Sequence, residues 1–261
     1  MSLFALRGKL PGITRMKIEL FGILGILIVW YGLVATNIIQ SRILPSPITV
    51  FTSFGELIAG DHLFKNLGVS LGLNLLGYIE AVAIAIPLGF CIGLFPIFRG
   101  LFERPISAIR GLPLSAVLGL FILWFGISTN MKVQFLTLGV LVYLLPVVVQ
   151  RIDEVKQIYV DTVKTLGANR WQTIRKVFIP DVLSRVSDDI RVLLPIAWTY
   201  IIMAEVINKS EGGIGALAYT AGRQSRPDKV FAILAMIILV VFLQDKLFLF
   251  LDRKFFKHKY V

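Results

Sequence analysis

The sequence is poor in charged residues and cysteine, and each shortage excludes a class of protein. Charged side chains make up 16 % of the 261 residues, whereas an average soluble domain carries about a quarter. Cys91 is the only cysteine, so neither an intrachain disulfide nor a cysteine-based metal cluster can form. The G-x-x-x-x-G-K-S/T pattern of a phosphate-binding loop does not occur. These shortages argue against an ordinary soluble domain, a disulfide scaffold and an ATP-binding protein.

Apolar residues are abundant and occur in long runs. They make up 56 % of the chain, and a helix needs about 20 of them to cross a membrane. The sequence therefore predicts an all-α polytopic membrane protein with about six transmembrane helices in one domain, 1–261. We interpret the first run as a retained span, because it is too long for a signal peptide. The predicted spans are 18–39, 72–97, 106–127, 133–150, 189–207 and 230–251.

The net charge of +11 is explained by the distribution of Lys and Arg among the loops. An even number of spans places residues 1–17, 98–105, 151–188 and 252–261 on one side, and these segments are rich in basic residues. Basic loops favour the cytoplasm. We therefore expect a bacterial inner membrane protein with both termini cytoplasmic, and no nucleic-acid partner.

The 151–188 loop is long, and its sequence specifies structure. Gly167 suits the left-handed conformation that ends a helix. Asn169 is a good N-cap, and Gln172 stands where a capping-box partner reaches back. Pro180 is predicted to end the second helix. The sequence thus predicts a helix, a sharp turn and a helix in the cytoplasm. The first helix, 152–166, has an apolar stripe formed by Ile152, Val155, Tyr159, Val163 and Leu166.

The same loop resembles the signature E-A-A, three residues, G, nine residues, I-x-L-P of bacterial ABC importer permeases. Gly167 and Pro180 match outright, whereas Thr162 and Val163 replace the two alanines. The resemblance implies a type I ABC importer permease fold, in which this loop couples to a cytoplasmic ATPase that binds ATP and Mg. The implied coupling residues are Asp161, Thr162, Leu166, Gly167, Ala168, Asn169, Arg170, Trp171 and Pro180.

Other segments are similar to the branch that imports nitrate, bicarbonate, taurine and alkanesulfonates. They are the Leu44 to Pro47 segment, Phe121 to Ile127, and Ala204-Glu205 followed by the glycines at 213–215. Leu73 departs from that pattern. The resemblance implies a small anionic solute, a second permease copy, and a solute-binding protein that docks on 44–62 and 208–229. Import of a vitamin precursor stays an alternative.

Ionisable residues inside spans are costly and indicate function by default. Glu80 and Glu205 are predicted pathway residues on this ground, although both could equally be packing partners, and Arg110 lies near the end of a span. Pro195 is expected to kink the fifth span, which makes Trp198 and Thr199 further pathway candidates.

Nothing in the sequence indicates catalysis or a bound cofactor. His62 and His258 are predicted on opposite sides of the membrane and cannot share a metal. A membrane enzyme should show clustered His, Asp or Glu at a membrane face. A self-contained secondary transporter or channel is the other rival, and it would need coupling or filter residues at mid-membrane. Neither rival explains the structured loop.

Overall fold

A computed structural model describes residues 11–259, except for the side chain of His258. Arg7 and Lys9 of the basic segment 1–17 lie outside the described residues. This part of the chain is helical and contains no strand. The helices in chain order are α1 Gly12–Ala35, α2 Pro47–Ala59, α3 Leu63–Leu94, α4 Pro96–Ile109, α5 Leu114–Phe125, α6 Thr129–Asp153, α7 Gln157–Thr165, α8 Arg170–Thr173, a π-helix Ile174–Phe178, α9 Ile179–Ile207, α10 Ile214–Arg223, α11 Pro227–Phe255 and a 3-10 turn Lys257–Lys259.

Five helical segments of the described chain are long and apolar enough to cross a membrane. They are α1, α3, α6, the continuous run α8 to α9, and α11. A sixth span is formed by α4 and α5 if this bent pair is counted as one. The all-helical, multi-span prediction is therefore confirmed, with spans that are mostly longer than predicted; the second span begins at Leu63 rather than at residue 72.

The third predicted span, 106–127, is wrong as a single straight helix. The chain bends by 105° between α4 and α5. The bend falls at Gly111, Leu112 and Pro113, where Pro113 has φ −64° and ψ 107°. Proline has no amide hydrogen to continue the helical ladder and disfavours the helical conformation of the residue before it. The apolar run continues, but its direction changes.

The described residues form two compact units. The first contains 11–62 and 220–235. Its helix α2 begins at Pro47, and the preceding Ser46 hydroxyl caps it by accepting a hydrogen bond from the Thr49 amide at 3.1 Å. Arg226 pairs with Glu56 at 2.9 Å. Hydrogen bonds from Arg226 and then from Lys229 hold the pKa of the Glu56 carboxyl below its usual 4.5.

The second unit contains 63–219 and 236–259 and is built on α3, α6 and α9. Glycines let α3 and α6 approach closely: an added Cβ would lie 2.7 Å from Leu136 at Gly77 and 2.5 Å from Val148 at Gly89. Small residues at such contacts are the usual basis of helix packing in membranes. Because both contact positions advance together along the chain, α3 and α6 run in the same direction.

Candidate functional site

The segment 154–178 between α6 and α9 forms a helical hairpin, and we use this name for these residues below. Its first helix is shorter than predicted. Residues 152–166 do not form one helix, because α6 continues to Asp153 and α7 begins only at Gln157. Ile152 is 4 % exposed and packs at the position of Gly93. It therefore belongs to the core of the bundle, and α7 starts after a turn.

The predicted turn at Gly167 is confirmed. Gly167 has a φ of +84°, a conformation that side chains with a Cβ rarely adopt. The Ala168 amide donates to the Val163 carbonyl at 3.0 Å, and the Gly167 amide donates to the Lys164 carbonyl at 2.9 Å. These are the two bonds of a Schellman motif, which satisfies carbonyl groups at the end of a helix.

The predicted capping box after the turn is also confirmed. The Gln172 amide donates to Asn169 Oδ1 at 2.9 Å. The Asn169 amide in turn donates to Gln172 Oε1 at 2.8 Å. Two backbone amides that would otherwise lack partners are thereby satisfied. Both helix ends at the turn are consequently fixed by hydrogen bonds, so the hairpin has a defined shape.

The helix after the turn does not end at Pro180, and this prediction was wrong. α8 continues into the π-helix Ile174–Phe178 and then into α9. Pro180 lies in the first turn of α9. The Ile179 amide donates to the carbonyl of Ile174, five residues back. The wider π turn lies next to the residue that offers no amide hydrogen, and the helix continues through it. The hairpin is thus continuous with the span that follows it.

Most of the predicted coupling residues are exposed on the hairpin. Leu166 is 82 % exposed and Trp171 is 66 % exposed, although apolar side chains of this size are normally buried. Ala168 is half-buried. The exposed polar and small members are Asp161, Thr162, Gly167, Asn169 and Arg170, and Pro180 is exposed on the first turn of α9. Leu166 to Trp171 therefore lie at the turn, whereas Asp161 and Thr162 lie within α7 and Pro180 within α9. Two large apolar side chains of the turn are largely exposed.

A group of charged residues joins the two ends of the hairpin; we call Arg151, Glu154, Arg185 and Asp189 the base clamp. Arg151 donates two hydrogen bonds of 2.7 Å to the Asp189 carboxylate. It donates a third, also 2.7 Å, to Glu154, and the hydrogen bond from Arg151 is the main reason that the pKa of Glu154 is lowered. Arg185 donates to the Glu154 carbonyl at 3.4 Å. The end of α6 is thereby tied to α9.

The sequence reasoning missed this clamp and a second polar link between spans. Arg191 of α9 forms a two-bond ion pair with Asp245 of α11. Near it, the Trp198 indole donates to Gln244 Oε1 at 2.7 Å. The signal was present, because Asp189, Arg191 and Asp245 lie inside the predicted spans 189–207 and 230–251. Opposite charges in two apolar segments predict that the segments are neighbours.

The four predicted pathway residues have different surroundings. Trp198 is 2 % exposed, whereas Thr199, the next residue, is exposed. Glu80 is half-buried and accepts hydrogen bonds from the Gln134 amide at 2.9 and 3.1 Å. The role of these residues in a pathway stays a prediction, as does the kink at Pro195, which lies inside the continuous helix α9.

Glu205, the fourth, is completely buried at the end of α9. Its carboxylate accepts hydrogen bonds from Ser70 Oγ at 2.6 Å and from the Gly215 amide at 2.8 Å. A Cβ at Gly213, where φ is +110°, would lie 2.3 Å from the Glu205 carboxyl carbon. Glu205 therefore anchors the glycine-rich loop that follows α9. The glycines at 212–222 and Pro227 predict an irregular segment, but α10 forms a helix within it, from Ile214 to Arg223.

Among the described residues, no group of three or more His, Cys, Asp or Glu side chains is placed to hold a metal ion. The arrangement as a whole consists of packed spans, a rigid hairpin and an anchored loop, and its prominent exposed feature is the apolar tip of the hairpin.

Comparison with known families shows to which family the chain belongs. The sequence pattern of the family described as "Binding-protein-dependent transport system inner membrane component" matches residues 83–257, which include the hairpin and four of the spans. The chain belongs to this family. The resemblance inferred from the hairpin signature is thereby confirmed, and the chain is a permease of the ABC transporter class.

Relatives with a narrower description extend over most of this permease. It is 27 % identical over 246 residues to the taurine transport system permease protein TauC of Escherichia coli (strain K12), with 92 % of this chain and 89 % of the relative covered. It is 28 % identical over 235 residues to SsuC of Bacillus subtilis (strain 168), which is named for aliphatic sulfonates transport, with 89 % and 84 % covered.

Solved structures of ABC transporters share the fold. One is the MetNI methionine ABC transporter in an inward facing conformation, with a TM-score of 0.61 at 16 % identity, covering 74 % of this chain and 95 % of that chain. Another is an amino acid ABC transporter, with a TM-score of 0.57 at 18 % identity, covering 78 % and 97 %. The type I importer permease fold predicted from the sequence is thus confirmed.

Proposed function

We propose that this permease forms the translocation pathway of an ATP-driven importer and is driven by a separate ATPase subunit that binds the hairpin. The observation that carries the proposal is the exposure of Leu166 and Trp171 at a turn whose two helix ends are fixed by hydrogen bonds. Large exposed apolar side chains on an otherwise rigid surface are typical of a protein interface.

The connection of the hairpin to the spans supports a coupling role. On one side it continues through the π-helix into α9, and on the other the base clamp holds it to α6. A displacement of the turn is therefore transmitted to two spans, whereas a flexible linker would absorb it in its own conformational freedom. Nucleotide and Mg bind to the ATPase in this scheme, and the permease contributes no catalytic group.

The proposal includes the membrane orientation and the remaining partners. The hairpin and both termini face the cytoplasm, in agreement with the basic residues of 151–188 and 252–261. A second copy of the permease completes the pathway, because closed two-fold assemblies are the commonest form of symmetric oligomer. On the opposite side, an extracytoplasmic binding protein docks on the segment 44–62, which includes the exposed Glu56 of α2.

The proposed solute is a small sulfonate of the taurine type. It is supported by the names of the two sulfonate-transport relatives and by their coverage of most of the chain. The basic residues do not support it, because the orientation of the spans already explains them. Nitrate, bicarbonate and vitamin precursors are the competing solutes.

The test is uptake into vesicles that contain the permease, its ATPase and its binding protein, identified from adjacent genes. We expect ATP-dependent uptake of taurine or short alkanesulfonates and not of nitrate, bicarbonate or a pyrimidine precursor of thiamine. Leu166→Asp should abolish co-purification of the ATPase, and Lys164→Gln, two residues away on the same element, should not. Uptake of the pyrimidine alone would show that the sulfonate assignment is wrong. Normal ATPase binding by Leu166→Asp would show that the hairpin turn is not the ATPase-binding site.

A further inference from the structure

A cavity of about 430 Å³ lies between the inner part of α3 and the helical run that leads from the hairpin into α9. Phe90, Cys91 and Leu94 line it from α3. Trp171 and Ile174 line it from the hairpin, and Leu183 from α9. No polar surface contributes to its wall. Such a wall offers no hydrogen-bond partner to water, so it suits an apolar ligand.

A second cavity, also about 430 Å³, lies farther along α3 and α9 and is closed on a third side by α11. Leu75 and Ile79 line it from α3, Ile190 and Leu194 from α9, and Gln244 and Phe248 from α11. Leu183 in the first cavity and Ile190 in the second are separated by about 10 Å along α9, at 1.5 Å per residue. The first cavity reaches from the hairpin into the spans, and the second is lined by span residues. We call the two together the apolar track, because they follow one another along α3 and α9, which is the direction that an acyl chain would take.

Positive charge is concentrated at the hairpin end of this track. Arg170 precedes Trp171 and Arg175 follows Ile174, and both arginines are exposed. Within the described part of the chain, no carboxylate is within ion-pairing distance of either guanidinium. Tryptophan is enriched where a span meets the lipid headgroups, and basic residues there attract anionic lipids. Arg170 and Arg175 are thus the sequence neighbours of the lining residues Trp171 and Ile174, at the same end of the track.

We propose that the track binds one anionic phospholipid from the adjacent leaflet. One acyl chain occupies the cavity between Cys91, Leu94 and Ile174, and the phosphate group lies beside Arg170 and Arg175. The lipid then contacts both α3 and the hairpin, so its headgroup charge acts at the element to which we assign coupling. The site does not depend on that assignment, because lipid binding can be measured without ATP, solute or ATPase.

The first test is native mass spectrometry of the permease purified with an equimolar mixture of phosphatidylglycerol and phosphatidylcholine that have the same acyl chains. We expect retained phosphatidylglycerol to exceed phosphatidylcholine. Arg175→Gln should reduce this preference roughly fivefold, the factor that corresponds to about 1 kcal/mol per basic residue near an anionic lipid surface. Lys164→Gln is the matched control and should leave the preference unchanged. An equal reduction by both variants would show a nonspecific charge effect and overturn the site.

The second test uses Cys91, which is the only cysteine and is half-buried in the cavity wall. The rate of its alkylation by N-ethylmaleimide is measured in detergent while either lipid is added. Phosphatidylglycerol should slow alkylation severalfold at concentrations where phosphatidylcholine does not, and Arg175→Gln should remove the difference. Protection by both lipids at equal concentration would overturn the anionic preference. No protection by either would overturn the acyl-chain site.

Discussion

The guanidinium of Arg151 forms two parallel hydrogen bonds of 2.7 Å with the carboxylate of Asp189, which joins the last turn of α6 to α9. The pair is only partly exposed, at 29 % and 18 % of the two side chains. Paired hydrogen bonds between arginine and a carboxylate fix orientation as well as distance. These hydrogen bonds hold together α6 and α9, the two helices that the hairpin connects.

Asp189→Asn should uncouple ATP hydrolysis from transport. The amide keeps the shape but loses the charge, which weakens the clamp by about 1–2 kcal/mol for a partly exposed pair. ATPase activity of the full transporter should persist while the solute imported per ATP falls. The measurement is parallel ATPase and uptake assays in vesicles. The double variant Arg151→Asp with Asp189→Arg exchanges the charges and should restore part of the solute imported per ATP. If Asp189→Asn imports as much solute per ATP as the natural protein, the proposed role of the clamp is wrong.

Gly167→Val should reduce transport without preventing membrane insertion. Its cost arises from the backbone, because φ is +84° and an added Cβ would meet no atom within 4 Å. A residue with a Cβ in this conformation is strained by about 1–2 kcal/mol, whereas asparagine tolerates it better. We therefore expect Gly167→Asn to retain more uptake than Gly167→Val at equal protein levels. Normal uptake by the valine variant, measured with its ATPase, would argue against a coupling role of the turn.

Glu205→Gln should lower the thermal stability of the permease in detergent. One carboxylate oxygen accepts from Ser70 and the other from the Gly215 amide. An amide side chain has a single acceptor oxygen, so one buried donor loses its partner at a cost of about 1–3 kcal/mol. Glu103→Gln, at an exposed position of α4, is the control and should melt like the natural protein. Equal melting temperatures for both variants would show that Glu205 does not anchor the loop.

The permease purified without its partners should neither bind nor hydrolyse ATP. The chain lacks a phosphate-cradling loop, which supplies the backbone amides that hold a nucleotide. Equilibrium dialysis with labelled ATP and Mg should show no retention by the permease, and addition of the ATPase subunit should produce it. Saturable binding of ATP by the permease alone would contradict the proposed division of labour.

The capping box and the Gly167 turn were predictable from the sequence because both depend on residues within five positions of one another. Asn169 and Gln172 need only each other and the backbone between them. Gly167 is set by the local requirement for a positive φ. The passage of the helix through Pro180 was not predictable in this way. It depends on a π turn, for which the sequence offers no comparable local signal.

Glu205 illustrates the part of the site that sequence reasoning left open. Its place in an apolar span indicates that the carboxylate must have partners. One partner, Ser70, is 135 positions away in another span, and which donors reach the carboxylate follows from how α3 and α9 pack. The same holds for Arg191 and Asp245, which lie 54 positions apart. The opposite charges of Arg191 and Asp245 indicate that their spans are neighbours, but helix packing decides which side chains form the pair.

The membrane class, the approximate number of spans and the turn of the hairpin follow from the sequence alone, because apolar run length and local capping are properties of neighbouring residues. The packed structure alone shows that the third span is bent, that the hairpin is clamped to α6 and α9, that Glu205 anchors a loop, and that two apolar cavities lie along α3. These features depend on helix direction and register, which arise when distant segments pack together.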